Sequence, residues 1–231
     1  DTAKAKKYTD TKSVKEESGY TSPFCYPLWP CDRVGEYILA KSAVAGAMIQ
    51  YMASDNEDVP NQSPSNHLLG VGGQCLEDGT EVYLDQDQAN TVNGYGVTTA
   101  INQNGYRLWG NYTGAYPASS DAKDIWFAVR RMFSWQGNNF IQTYFDEVDD
   151  PMNNVLVQSV VDSENIRCSA YAPKYWAGAS IEYKSDDNPK TAILAGTMKF
   201  RQHIAPYTPA QEIVDIIDYD TDTLAAAVGG N

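Results

Sequence analysis

The residues best suited to chemistry in this chain are its carboxylates. Asp146, Glu147, Asp149 and Asp150 fall within five positions, and Asp162 and Glu164 follow shortly after. Two carboxylates flanking a bond are the apparatus of a glycoside hydrolase. Clustering in sequence does not set two acids across a cleft, however. A solvated turn before a helix, where acids favour the helix dipole, accounts for the run equally well. The same turn lacks the alternating ligands around a glycine that define an EF-hand calcium loop. Nucleophilic catalysis needs a base, and the only histidines are His67, in SPSNH, and His203; no GxSxG elbow is present. Cys25, Cys31, Cys75 and Cys168 match neither a zinc knuckle nor a CxxC redox pair. They read as free thiols, with a Cys25–Cys31 bridge allowed by spacing alone. The GVGG run at 70–73 stands outside the strand-to-helix frame of a phosphate loop. No catalytic, cofactor-binding or metal-ligating residue is therefore assigned, and the chain reads as a non-enzyme that needs no cofactor.

Composition narrows the partners. The net charge of −13 repels nucleic-acid phosphate at long range, so nucleic acid is not expected as a partner. The longest apolar stretch, around Ile38 to Met52, is broken by Lys41, Ser42, Gly46 and Gln50 and falls short of a membrane span; no membrane partner is expected. The start of the chain is polar and Lys-rich, with neither a secretory signal nor an initiator Met, and reads as the N-terminus of a processed or truncated product.

Any functional residue must be held by the elements that periodicity predicts. Residues 1–19 are charged and poor in large apolar groups, which predicts a mobile arm or linker. The Pro-rich aromatic segment 20–34 predicts an extended connection, with Asp32 as a candidate cap for a helix over 36–53 that carries an apolar stripe. Residues 54–74 predict a long loop. A short strand over 81–84, a helix over 85–93 closed by Gly94 or Gly96, and a strand over 97–101 follow. Asn104-Gly105 is a hairpin-turn signal, and 106–109 is the returning strand. Asp121 or Asp124 is placed to cap a helical stretch over 125–145, with Gln136-Gly137-Asn138 predicting a kink or a break. A third helix is expected near 151–165, with Pro151 in its first turn. Residues 179–183, 196–204 and 212–219 read as strands, and 224–231 as a small, flexible end. The expected fold class is α+β: an α/β-like small sheet, including a short βαβ-like segment, with flanking helices, followed by a β-rich C-terminal end. The expected organisation is an arm over 1–19, a first part over 20–115, a second over 116–207 and a C-terminal arm over 208–231.

Several segments, in order along the chain, resemble the contractile tail sheath family of phages. NGYGVTTAINQNGYRLWGNYT (93–113) is similar to the family's Gly-closed helix, strand, turn and return strand ending in WGN or WG-x-R-T; the family carries Arg where this chain has Tyr112. DVPNQSPSN (58–66) resembles the loop before that sheet. DAKDIWFAVRRMFSWQGNNFIQTYFDEVDDPMN (121–153) resembles the following helix with its Val-Arg-Arg core, and VVDSENIR (160–167) also fits. GTMKFRQHIAPYTPAQEIVDIIDYD (196–220) resembles the final β-structure and exit arm.

The resemblance implies a structural subunit of the virion tail sheath, assembled in the bacterial host cytoplasm. It stacks as rings around the tail tube and contracts to drive the tube through a target envelope. The implied partners are other copies of itself, the tail tube protein, the baseplate and the tail terminator. Within that reading, Glu212, Ile213, Val214, Asp215, Ile216, Ile217, Asp218 and Tyr219 are expected to form a strand donated to a neighbour's sheet, the alternative being a hairpin partner of 196–204 in the same chain. Glu212, Asp215 and Asp218 would discourage uncontrolled edge pairing. Arg130 and Arg131 are candidates for contact with the tube or a neighbouring subunit, against a solvated or internally paired role. Asn104, Gly105, Trp109, Gly110 and Asn111 are expected to shape the hairpin, with Trp109 in the core. The rival reading, motivated by 16 tyrosines, 5 tryptophans and clustered acids, is a carbohydrate-binding or carbohydrate-cleaving virion protein; aromatic rings equally build cores and subunit contacts.

Overall fold

A computed structural model describes residues 2–229. The first and last residues of the expected terminal arms, Asp1 and Gly230-Asn231, lie outside that range. The order of elements is α1 (Thr11–Glu17), β1 (Cys31–Val34), β2 (Tyr37–Leu39), α2 (Lys41–Asp55), β3 (Gly73–Cys75), α3 (Gln86–Gly94), β4 (Thr99–Asn102), β5 (Tyr106–Trp109), α4 (Ala122–Ile125), α5 (Phe127–Thr143), α6 (Asn154–Tyr171), β6 (Trp176–Glu182), α7 (Lys190–Leu194), β7 (Arg201–Pro206) and α8 (Thr221–Ala227). The class is α+β. The sheets are small and antiparallel, ordered β2-β1-β3, β4-β5 and β6-β7. The expected βαβ-like segment is not formed, because residues 81–84 ahead of α3 make no strand.

Strong local signals give the expected elements. Asp85 caps α3 by accepting from the Gln88 backbone N–H at 2.7 Å, and Gln88 returns the bond to complete a capping box. Asn104 and Gly105 both take positive φ, 53° and 105°, within the three-residue loop 103–105 that joins the paired Asn102 and Tyr106. Asp121 caps α4, and Asn153 caps α6. Three apolar clusters form the interior. One joins Leu28, Ala45 and Leu69 to Ala100, Tyr106 and Leu108 of the hairpin. A second sets Val59 against Met132 of α5, Cys168 of α6 and Trp176 of β6. The third gathers Ala5, Trp29, Val92 and Val97.

That third cluster corrects the first expectation. Residues 2–17 are docked on the body and are not the expected mobile arm or linker: Thr2, Ala5, Thr11 and Lys15 are buried, and Tyr8 and Val14 pack against the cluster that holds Trp29. The Trp29 indole N–H donates to the Ala5 carbonyl at 2.8 Å. The Lys15 ammonium donates to the carbonyls of Tyr95 and Tyr116 at 2.8 and 2.5 Å, and burial lowers its pKa to about 8.

Further differences have local causes. Asp32 does not cap α2. It lies on β1, fully buried, and forms an ion pair with the equally buried Lys41 at the first residue of α2. Residues 37–39, expected as helix, instead return as β2 along β1. Residues 81–84 make one isolated bridge, Cys75 with Glu81, and no strand. The interruption foreseen at 136–138 is absent. α5 runs unbroken because the Gln136 amide is anchored inside, donating to Glu164 and Gln202 at 3.2 Å each, while Gly137 faces open space. The break falls instead at Trp126, whose extended backbone separates α4 from α5. Residues 212–219 form no strand, and 224–227, part of the end expected to be flexible, lie in the helix α8 capped by Asp220.

Candidate assembly interface

Two of the family-like segments, far apart in sequence, converge on one another. The loop over 61–67 lies along β5: Leu108 donates its backbone N–H to the His67 carbonyl at 2.9 Å, and the Arg107 guanidinium donates to the Asn66 carbonyl at 2.8 Å. Ser63 bonds the Asn111 side chain, and Ser65 Oγ accepts from the Gly110 N–H at 3.1 Å. Gly110 has φ +147°, and a Cβ there would sit 2.5 Å from Thr98 Oγ1. Both backbone conformation and close approach therefore demand glycine. Trp109 is not in the core. It is half-buried, donates its indole N–H to Asn90 at 2.9 Å, and lines a cleft.

The cleft has a volume of about 970 Å³. Its walls are amides, hydroxyls and rings, among them Asn61, Asn90, Asn111, Trp109 and Tyr112, closed on one side by residues 207–212. Glu212 is the only carboxylate among the described residues that line it, so the acid pair of a glycosidase is not assembled there. Tyr112 stacks on Tyr116, centroids 3.8 Å apart, and on Trp126 at 5.0 Å. Its hydroxyl donates to Gln211 Oε1 at 2.8 Å. Tyr112 thus holds the root of the C-terminal segment. Sequence reasoning missed this cleft, since its walls come from four separate polar stretches.

Beyond that root the chain leaves the body. Residues 210–229 are all exposed. Between β7 and α8 the segment pairs with no strand among the described residues. Ile213 (89% exposed), Val214, Ile216, Ile217 and Tyr219 stand in solvent beside Glu212, Asp215 and Asp218. Large apolar groups exposed in series mark an interaction surface. The hairpin alternative, with 212–219 alongside β7, is not what the subunit forms; among the described residues β7 pairs with β6 alone.

The other candidate residues are placed apart from this segment. Arg130 is engaged within the subunit, 3.2 Å from Asp124 and with its guanidinium 4.1 Å over the Phe24 ring. Arg131 has no carboxylate partner among the described residues. It lies 5.6 Å over Phe127, and burial lowers its pKa. The acidic candidates separate as well. Asp146, Glu147, Asp149 and Asp150 are exposed in the turn after α5, whereas Glu164 is buried and takes a two-pronged bond from Arg167 at 3.0 and 2.7 Å. Among the described residues no group of three or more His, Cys, Asp or Glu side chains could hold a metal ion, and no helix is long and apolar enough to cross a membrane.

No protein-family model matches the chain. Curated relatives do. It is 27% identical over 197 residues to the major tail sheath protein of Serratia phage KSP20, covering 81% of this chain and 48% of that protein. It is 22% identical over 215 residues to the tail sheath protein of Escherichia phage P2, covering 87% and 52%. This chain is a relative of phage tail sheath proteins. It spans about half the length of those two tail sheath proteins. Its fold matches the contracted sheath complex of an extracellular contractile injection system, PVC, with TM-score 0.77 and 16% identity over 95% of this chain and 62% of that one. It also matches the contracted helical sheath of the anti-feeding prophage, with TM-score 0.69 and 20% identity over 87% and 57%. These matches cover 81–95% of this chain.

Proposed function

We propose that the chain is the polymer-forming part of a contractile tail sheath. It is a structural subunit, not an enzyme, that stacks as rings around a tail tube and contracts to drive the tube through a target envelope. The observation that carries this reading is the segment over 212–219. It is exposed, apolar on alternating and adjacent positions, unpaired within its own subunit, and tethered at its root by Tyr112 and Gln211. An extended segment of this kind is satisfied by adding to the edge of another subunit's sheet, where backbone hydrogen bonds give affinity. The two-stranded β6-β7 sheet offers such edges.

Such links, held while rigid bodies rearrange, suit a polymer with two discrete arrangements. Arg131, with no acid partner among the described residues, is the better candidate than Arg130 for contact with the tube or a neighbour. The tube, the baseplate and the terminator are the expected partners, the virion tail is the location, and the host cytoplasm is the site of assembly. Electron microscopy of the concentrated protein, alone and with added tube protein, tests the reading. Tubes or stacked rings are expected. Deletion of residues 208–231 is expected to leave a folded monomer that no longer polymerises. Sheaths formed by the deleted chain, or a full chain that stays monomeric with tube protein present, would overturn it.

A further inference from the structure

Four cysteines are free in this structure, and two of them face each other. Cys31 on β1 and Cys75 on β3 are direct antiparallel partners in the β2-β1-β3 sheet. Directly opposed residues project from the same face with Cβ atoms about 4.5–5.5 Å apart. A disulfide needs about 3.5–4.5 Å, so a small approach of the two strands suffices. β3 is a three-residue edge strand whose first residue, Gly73, ends the glycine-rich run Gly70-Val71-Gly72-Gly73; both thiols are buried, so exchange proceeds when this short edge opens. Cys25, the partner that spacing alone would have offered Cys31, precedes β1 and lies outside the sheet.

We propose that Cys31 and Cys75 form a redox-closable staple, a modification site at which an intramolecular disulfide ties β1 to β3. The chemistry is thiol–disulfide exchange with a small-molecule disulfide such as oxidised glutathione. One thiolate attacks a reagent sulfur and releases the first glutathione thiolate. The second cysteine then displaces the other, so the S–S bond of the reagent breaks as that of the protein forms. Two electrons pass from the protein sulfurs to glutathione, and the two thiol protons end on the two glutathione thiols. Burial raises the Cys31 thiol pKa, reinforced by Glu77, Cys75 and Asp32. Attack through Cys31 is therefore slow at neutral pH and speeds up above it. The closed link spans residues 31–75, which include α2 and the 61–67 wall of the cleft, so closure pins the part of the body that carries the hairpin.

The test uses the full chain, folded, incubated with oxidised glutathione at pH 8, then alkylated under denaturing conditions and mapped by mass spectrometry without reduction. The expected product carries one link joining the Cys31 and Cys75 peptides, with only Cys25 and Cys168 alkylated; before alkylation its intact mass is lower than that of the reduced chain by two hydrogen atoms. The melting temperature should rise by roughly 5–10 °C on loop closure and return on reduction. Cys25→Ser should leave the link unchanged, and Cys75→Ser should abolish it. Alkylation of both Cys31 and Cys75, a Cys25–Cys31 link, or a Cys31–Cys75 link that forms only in denaturant would each overturn the proposal. The readout is independent of polymerisation, so its failure leaves the sheath reading untouched.

Discussion

The Asp32–Lys41 pair shows what one buried charge costs when its partner is removed. Both side chains are fully buried; burial pushes the carboxyl up and the ammonium down, each offset in part by the other. Lys41→Met leaves a carboxylate with no compensating charge and should cost about 3–5 kcal/mol. Asp32→Leu with Lys41→Met removes the desolvation penalty with the charges and should recover most of that loss. Urea unfolding of the two variants distinguishes these outcomes. Lys15 makes a pH prediction. Its folded pKa is lowered from 10.5 to about 8, so between these values the unfolded chain binds more protons. Stability contributed at this residue therefore rises as pH rises from about 8 towards 10.5. The neutral amine still has two N–H groups for the carbonyls of Tyr95 and Tyr116. The raised Cys31 thiol acts in the opposite direction above its ordinary value of 9.0, so the window from pH 8 to 9 is cleanest. Denaturant midpoints across that window should climb relative to those of Lys15→Met.

At the scale of elements, α5 carries an avoidable weakness. Gly137 lies in its interior, exposed, without a positive φ, and an alanine methyl placed there would meet nothing within 4 Å. Gly137→Ala should stabilise the subunit by about 0.5–1 kcal/mol, read as a shift in thermal midpoint. This same helix explains part of what the sequence concealed. Gly137 weakens helix propensity locally, but the buried amide of Gln136 holds the turn to Glu164 and Gln202, contacts 28 and 66 residues away that no local pattern reveals. By contrast α3 and the β4-β5 hairpin were legible because their signals are self-contained: a helix closed by Gly94 or Gly96 and an Asn104-Gly105 turn. The N-terminal helix was misread because few large apolar groups dock it; Ala5, Tyr8 and Val14 suffice when Trp29 supplies the surface. The apolar and acidic pattern of 212–219 was visible in sequence, but its lack of a strand partner in the subunit was not. The cleft beside it was invisible, because asparagines and serines carry no periodicity.

Across the whole molecule, a charge of −13 sets copies against one another. Assembly of like-charged subunits must overcome that repulsion, and salt weakens it: the screening length shortens from about 30 Å at 0.01 M to about 10 Å at 0.1 M. Polymerisation followed by light scattering should therefore begin at lower protein concentration as ionic strength rises over this range. A lack of response, or inhibition, would mean that specific opposite-charge contacts dominate the interface.

On the proposed function, the uncovered C-terminal segment would also give each copy a built-in measure of whether it has been used. About twenty consecutive residues lie in solvent before assembly, with no hydrogen-bonded strand between Tyr207 and Asp220, and exposed unstructured chain is where proteolytic nicking concentrates. Once such a segment is buried in a neighbour's sheet, the same bonds are out of a protease's reach. Surplus subunits would then be cleared in preference to incorporated ones, with no dedicated degradation signal, and the ratio of sheath to tube would be corrected by turnover alone.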